Sequence, residues 1–211
     1  MQNKMLYVVF SATPLKMGSV IRGVTREKYN HVSISFSENL SEMYSYARRY
    51  NETPFVGGFV KETPCRYKNK DRVADVFVCA LPITTEQFEK VTAVIEQMKG
   101  DSDSHRYNMY SAATALISKR VHIPKCMTCI EFVVYILSMV SDKVSANRFY
   151  TIETLRSLLA CKEIYSGPFP DIDKFEVNEE YYRSFSLLEK LKLSAKFEFD
   201  LAHDFINRNK V

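Results

Sequence analysis

The chain carries, at residues 126–135, the stretch Cys126-Met127-Thr128-Cys129-Ile130-Glu131-Phe132-Val133-Val134-Tyr135. Thr128 is a residue type that caps helices, and the apolar residues after it predict a buried helix from Cys129 to Val140. A thiol in the first turn of a helix lies near unpaired backbone amides and the positive end of the helix dipole, which both favour a thiolate. Cys129 is therefore a candidate nucleophile, although a cysteine in an apolar helix is more often an inert core residue.

A histidine upstream of this helix lies at the start of a predicted strand. The stretch reads Tyr29-Asn30-His31-Val32-Ser33-Ile34-Ser35-Phe36, and its apolar residues alternate with serines as in a half-buried strand. An imidazole on a rigid strand and a thiol at a helix N-terminus are the two parts that a cysteine nucleophile needs. His31 is therefore the candidate partner of Cys129.

The strand of His31 is followed by turn residues and by a second predicted strand, residues 40–46, so that the two predict a hairpin. If its turn centres on Glu38, Ser45 lies opposite His31 and both side chains project from the same face of the sheet. A polar residue in that place orients the imidazole ring, which is the third role in a catalytic triad. Ser45 is the candidate for this role, and a register shift of one residue would replace it by Tyr46.

The rest of the sequence predicts further short elements, in a main domain over residues 1–170 and a mostly helical extension over residues 171–211. The boundary follows Pro170, after which charged residues become more frequent and aromatic residues are interleaved with them. The predicted elements are strands at 6–11, 73–80 and 163–167, helices at 17–24, 84–99, 107–121 and from 179 onward, and a glycine-containing loop at 53–59. The extension either packs on the domain or serves as a tail that binds a partner.

The composition is that of a globular chain and argues against several classes of partner. Of the 211 residues, 46% are hydrophobic and 26% are charged, which suffices for a sizeable core. The net charge of +4 is spread along the chain, so we expect no nucleic acid partner. We expect neither a transmembrane segment nor a secretory signal, because no apolar run is long enough for either. Five cysteines, an odd number, favour free thiols in a reducing cytoplasm.

Cys126 and Cys129 also form a C-x-x-C pair, which is compatible with a redox pair or with half of a zinc site. Zinc needs two further ligands, and His122 lies close enough in the sequence for a site of two cysteines and one histidine to stay open as an alternative. The sequence holds no second close cysteine pair. We predict neither a metal nor another cofactor.

Together, the two stretches resemble the permuted NlpC-type papain-like cysteine hydrolases, in the YiiX-like branch, where the histidine strand precedes the nucleophile helix. Asn30-His31-Val32-Ser33-Ile34 resembles the histidine motif of that family, and residues 15–25 resemble its lead-in. Thr128-Cys129-Ile130-Glu131-Phe132-Val133 resembles its nucleophile motif, with Ile130 in place of a small polar residue. The likeness covers roughly residues 5–170. It implies an α+β, circularly permuted papain-like fold, in which an antiparallel sheet packs against helices that include the nucleophile helix.

The resemblance also implies a cysteine hydrolase or acyltransferase. The Cys129 thiolate would attack the carbonyl of an amide, ester or thioester, and His31 would protonate the leaving group. The backbone amide of Cys129 would stabilise the oxyanion with help from Tyr107, since Tyr107 and Asn108 match an aromatic-polar pair before the family's cysteine helix. The implied substrate is a peptide, an amide or a lipid-like acyl compound.

The third triad member is where the sequence departs from the family, which often carries Glu or Gln on the strand after the histidine. Ser45 occupies that position in the stretch 43–48, and Glu42 and Glu62 are the alternatives. A serine here also permits a second function, in which a papain-like scaffold of weak or no activity binds or regulates a partner. The sequence leaves the oligomeric state open.

Overall fold

The computed structural model describes residues 4–13, 27–69 and 72–209, and in this part the chain is a mixed α+β protein, as the sequence predicts. The strands are β1 (Lys4–Ala12), β2 (His31–Ser35), β3 (Met43–Arg48), β4 (Gly57–Glu62), β5 (Lys68–Asn69), β6 (Arg72–Val73), β7 (Asp75–Ile83), β8 (Arg106–Tyr107), β9 (Cys126–Met127) and β10 (Glu163–Pro168). The helices are α1 (Thr85–Gly100), α2 (Met109–Thr114), α3 (Cys129–Leu137), α4 (Ile152–Leu159) and α5 (Leu187–Asn207). The predicted helix at 17–24 and the lead-in at 15–25 lie outside the described residues.

A large sheet organises the molecule, with the strand order β10-β7-β1-β2-β3-β4-β8-β9. Neighbouring strands are antiparallel except for β8 and β9, which run parallel. The central strand β1 is buried on both faces: Leu6, Val8 and Phe10 join one core cluster, and Tyr7 and Val9 join another. Burial on both faces explains why β1 reads as a nearly continuous apolar run in the sequence.

Helix α3 begins at Cys129, as predicted, and its start is fixed by its own first turn. The Thr128 side chain accepts a hydrogen bond from the backbone N–H of Glu131, and the Glu131 carboxylate accepts one from the backbone N–H of Thr128 at 2.7 Å. This capping box satisfies two amides that the helix itself leaves unpaired. Fully buried Phe132 and Val133 then hold the helix against β2 and β3, so the position of the thiol is set by the core.

The predicted hairpin exists, but its predicted register is wrong. Ile34 pairs with Tyr44 and Ser35 with Met43, and continuing this register places Ser33, rather than His31, opposite Ser45. The connection is centred on Asn39, whose side chain accepts hydrogen bonds from residues on both sides of it. Because the error amounts to two residues and the side-chain period of a strand is also two, the predicted sheet faces stay the same.

Two other predicted elements differ in the structure. The predicted helix at 107–121 is shorter: Tyr107 lies in β8, and the helix spans Met109–Thr114. The predicted loop at 53–59 ends at Gly57, where β4 begins. At Gly58 a Cβ would lie 2.1 Å from the carbonyl oxygen of His105, so this glycine is required by the close approach of the chain before β8.

The extension beyond residue 170 packs on the rest of the molecule. Helix α5 begins at Leu187 rather than near the predicted residue 179, and its Phe197 and Leu201 are buried in a cluster that also contains Cys126. Arg106 of β8 forms ion pairs with two aspartates of α5, at 2.6 Å to Asp204 and at 3.4 Å to Asp200. Among the described residues, none of the helices combines the length and the apolar character that a membrane span requires.

Candidate active site

The candidate nucleophile lies at the bottom of a surface depression. Cys129 is the first residue of α3 and is 5% exposed, and its atoms line two adjacent clefts of about 500 Å³ and about 290 Å³. We call the larger cleft 1 and the smaller cleft 2. Both clefts are also lined by Asn30, Tyr107 and Ala112, so cleft 1 and cleft 2 meet beside Cys129.

The structure brings His31 and Cys129 together. His31 is the first residue of β2, against which α3 packs, and its imidazole lies close enough to the Cys129 side chain for the two groups to interact. Its Nε2 lies 2.8 Å from Oε1 of Glu62, a buried residue at the end of β4. Because Nε2 is engaged with the carboxylate, Nδ1 is the ring nitrogen available to the thiol.

Glu62, rather than Ser45, contacts the imidazole. The Ser45 hydroxyl donates a hydrogen bond to Oε1 of Glu62, so it supports the carboxylate from behind instead of orienting the ring directly. The Tyr67 hydroxyl donates to the other oxygen, Oε2, at 3.0 Å. Glu62 was the alternative third member in the sequence, and both of its oxygens are held in place by neighbouring hydroxyl groups.

Opposite charges hold His31 and Glu62 in their ionised forms. Burial by itself lowers the pKa of His31, but the adjacent Glu62 carboxylate and the hydrogen bond to Cys129 outweigh it and raise this pKa to about 10. Burial likewise raises the pKa of Glu62, but the charges of His31 and Arg66 and the hydrogen bonds from His31 and Ser45 lower it to about 2. The imidazolium form is therefore the resting form at neutral pH.

This charge state gives a prediction for the histidine alone. We expect the ring signals of His31 in an NMR titration to keep their imidazolium positions at pH 8, well above the ordinary pKa of 6.5. In Glu62→Gln we expect this pKa to fall into the neutral range, because the largest influence that raises it is removed. The variant His31→Asn identifies the signals, and a wild-type ring that titrates near pH 6.5 contradicts the ion pair.

Tyr107 lies beside the candidate nucleophile. Burial together with the neighbouring Cys129 raises the pKa of its hydroxyl well above the usual value, so it stays a hydrogen-bond donor. Its approach depends on Gly57, where a Cβ would lie 2.9 Å from the Cβ of Tyr107.

The other cysteine of the C-x-x-C pair, Cys126, lies in a different environment from Cys129. Cys126 is buried against α5, with its Sγ 3.9 Å from Oδ2 of Asp204, and burial and this carboxylate raise its pKa to about 12. All five cysteines are free thiols. Within residues 4–13, 27–69 and 72–209 no three His, Cys, Asp or Glu side chains are grouped closely enough to hold a metal ion.

Sequence reasoning misses Tyr67 and two arginines, Arg48 and Arg66, that line cleft 2. Their neighbours in the sequence give no sign of a site, because each reaches the cleft through contacts with distant residues. Comparison of the chain with protein-family models, with curated proteins and with solved structures finds no match in any of the three.

Proposed function

We propose that this chain is a cysteine hydrolase or acyltransferase that cleaves an amide, ester or thioester through the Cys129 thiolate and His31. The observation that carries the proposal is the buried imidazole of His31, which contacts the Glu62 carboxylate and interacts with the Cys129 side chain. We infer the circularly permuted papain-like fold from the order of the same parts, since the histidine strand precedes the nucleophile helix in the chain.

The reaction begins from the ion pair of a thiolate and an imidazolium. The Cys129 sulfur attacks the carbonyl carbon, and the oxyanion that forms accepts hydrogen bonds from the Cys129 amide and the Tyr107 hydroxyl. When the intermediate collapses, the bond to the leaving group breaks and His31 gives the leaving group its proton. Neutral His31 then takes a proton from water or another acceptor, which attacks the thioester and releases the thiolate.

The two clefts then have different roles. His31 lines cleft 2 but not cleft 1, and a general acid must reach the atom that leaves. The leaving group therefore belongs in cleft 2 and the acyl group in cleft 1. The wall of cleft 1 is largely apolar and includes Ala115, Ile130 and Val134, which suits an apolar acyl group.

The proposal is tested by alkylation of Cys129 with iodoacetamide over a range of pH. The protein carries Cys161→Ser, because Cys161 is the exposed thiol and the other four are buried. We expect Cys129 to be labelled faster than an ordinary small-molecule thiol, and His31→Ala to slow its labelling at least about tenfold at neutral pH. The variant Cys129→Ser shows which part of the alkylation belongs to Cys129.

Slow labelling that does not change in His31→Ala would contradict the proposed enzymatic function. It would favour the alternative function, in which the chain is a scaffold that binds or regulates a partner. A matched control is His122→Ala, which changes a histidine that lines neither cleft. Its labelling rate should equal that of the parent protein.

A further inference from the structure

Cleft 2 contains two arginines that the acyl-transfer mechanism does not use. Arg48 and Arg66 line it together with His31 and Glu62, and among the described residues no other charged side chain does so. His31 offsets the charge of Glu62, and the two guanidinium groups outweigh the Cys129 thiolate of the proposed mechanism, so the cleft keeps a net positive charge. Neither arginine forms an ion pair with a carboxylate of the described residues.

Arg66 is buried and incompletely hydrogen-bonded. It is only 8% exposed, its Nη1 donates to the carbonyl oxygen of Arg48 at 3.1 Å, and its Nε finds no hydrogen-bond partner among the described residues. A buried donor on a charged group without a partner is costly. Such a group is retained most readily where a ligand supplies the missing acceptor.

The two arginines are held in place by a residue of the extension. The ring of Tyr181 stacks on the guanidinium of Arg66 at 4.1 Å, and its hydroxyl accepts a hydrogen bond from Arg48 at 2.8 Å. Tyr181 is itself buried and lines cleft 2. The guanidinium groups are thus positioned beforehand, as a recognition site for a small anion requires.

We propose that Arg48 and Arg66 bind an anionic group, a carboxylate or a phosphate, on the leaving group of the substrate. The proposal rests on the proposed function, which assigns cleft 2 to the leaving group. A planar guanidinium with free donors matches the oxygens of either anion. The substrate is then an apolar acyl group joined through an amide, ester or thioester to a small acidic leaving group, with the apolar part in cleft 1.

The test compares thioesters that differ only in the charge of the leaving group. S-octanoyl-3-mercaptopropionate carries a carboxylate, S-octanoyl-3-mercaptopropionamide is its neutral match, and S-octanoyl-2-mercaptoethyl phosphate carries a phosphate. In each, the bond from Cys129 Sγ to the carbonyl carbon forms, the carbon–sulfur bond of the substrate breaks, and the departing thiolate takes the His31 proton. The released thiol is measured by its reaction with a disulfide reagent.

We expect the wild-type protein to prefer at least one anionic substrate over the neutral one by about tenfold or more in kcat/KM. Arg48→Gln and Arg66→Gln should each move this ratio towards one. Arg49→Gln is the matched control: Arg49 contacts Asp103 and the carbonyl of Ser102 and lines neither cleft, so its ratio should stay at the wild-type value. The carboxylate and phosphate ratios identify which anion the site takes.

Equal turnover of neutral and anionic substrates by the wild-type protein overturns the anion site and leaves the proposed function intact. A binding measurement keeps the two proposals separate if no substrate is turned over. Calorimetry with Cys129→Ser should detect N-octanoylglycine and N-octanoyl-2-aminoethyl phosphate as ligands, with at least one of them bound about tenfold more tightly than N-octanoylglycinamide. Equal affinity for all three compounds contradicts the anion site independently of catalysis.

Discussion

Replacing Glu62 by glutamine is expected to lower kcat/KM for every thioester by a factor on the order of a hundred or more, as the loss of general acid–base catalysis does. The glutamine keeps the shape of the side chain but removes the charge that holds His31 as an imidazolium 2.8 Å away. The thiolate then loses its ion-pair partner, and the leaving group loses its proton donor. The measurement is steady-state hydrolysis of the neutral thioester, which avoids any effect of the arginines.

Ser45→Ala is the matched variant for this prediction. Ser45 contacts the carboxylate rather than the ring, and Glu62 keeps its hydrogen bonds to His31 and Tyr67 without it. We expect a loss of less than about tenfold, in keeping with a single hydrogen bond. Urea unfolding of both variants separates a catalytic effect from unfolding. If Ser45→Ala lowers kcat/KM as much as Glu62→Gln does, Ser45 rather than Glu62 is the third member of the triad.

The second large effect concerns the acyl group. Across S-acyl-3-mercaptopropionamides from acetyl to decanoyl, kcat/KM is expected to rise roughly threefold to fourfold per added methylene until cleft 1 is filled. The rise reflects transfer of apolar surface from water to a largely apolar wall. Ala115→Phe, which inserts a ring into cleft 1, should reduce the ratio of decanoyl to acetyl turnover at least about tenfold.

Ala113→Phe controls for the added ring. Ala113 is exposed two residues away and lines neither cleft, so the chain-length ratio of this variant should match the wild type. Equal kcat/KM for acetyl and decanoyl substrates in the wild-type protein would show that the acyl group does not occupy cleft 1.

The parts of the site that local chemistry determines are those that the sequence predicts. The helix start at Cys129 follows from the cap residue Thr128 and the apolar run behind it, and both are visible in neighbouring positions. The strand of His31 follows from alternation in the same way, although all five of its residues are buried and the strand is not half-buried as predicted. The α+β class follows from the mixture of these two patterns.

The parts that depend on strand pairing are predicted poorly. Glu62 reaches His31 because β4 pairs with β3 in a register that no local sequence pattern sets. The register of the hairpin between β2 and β3 depends on where a turn of several polar residues is centred, which the sequence does not fix. Arg48 and Arg66 are brought together by a hydrogen bond from Arg66 to the Arg48 carbonyl oxygen and by Tyr181, which lies far along the chain and packs on both. Tyr107 lies in a two-residue strand, too short to show any period.

The contacts of the extension restrict how this protein can change. Tyr181 lines cleft 2, and Asp200 and Asp204 hold Arg106, the residue next to the candidate oxyanion donor Tyr107. The extension from residue 171 onward therefore cannot be exchanged for another sequence without loss of these contacts. A transplanted extension must bring partners for Arg48, Arg66 and Arg106 together, so the extension and cleft 2 have to change as one unit.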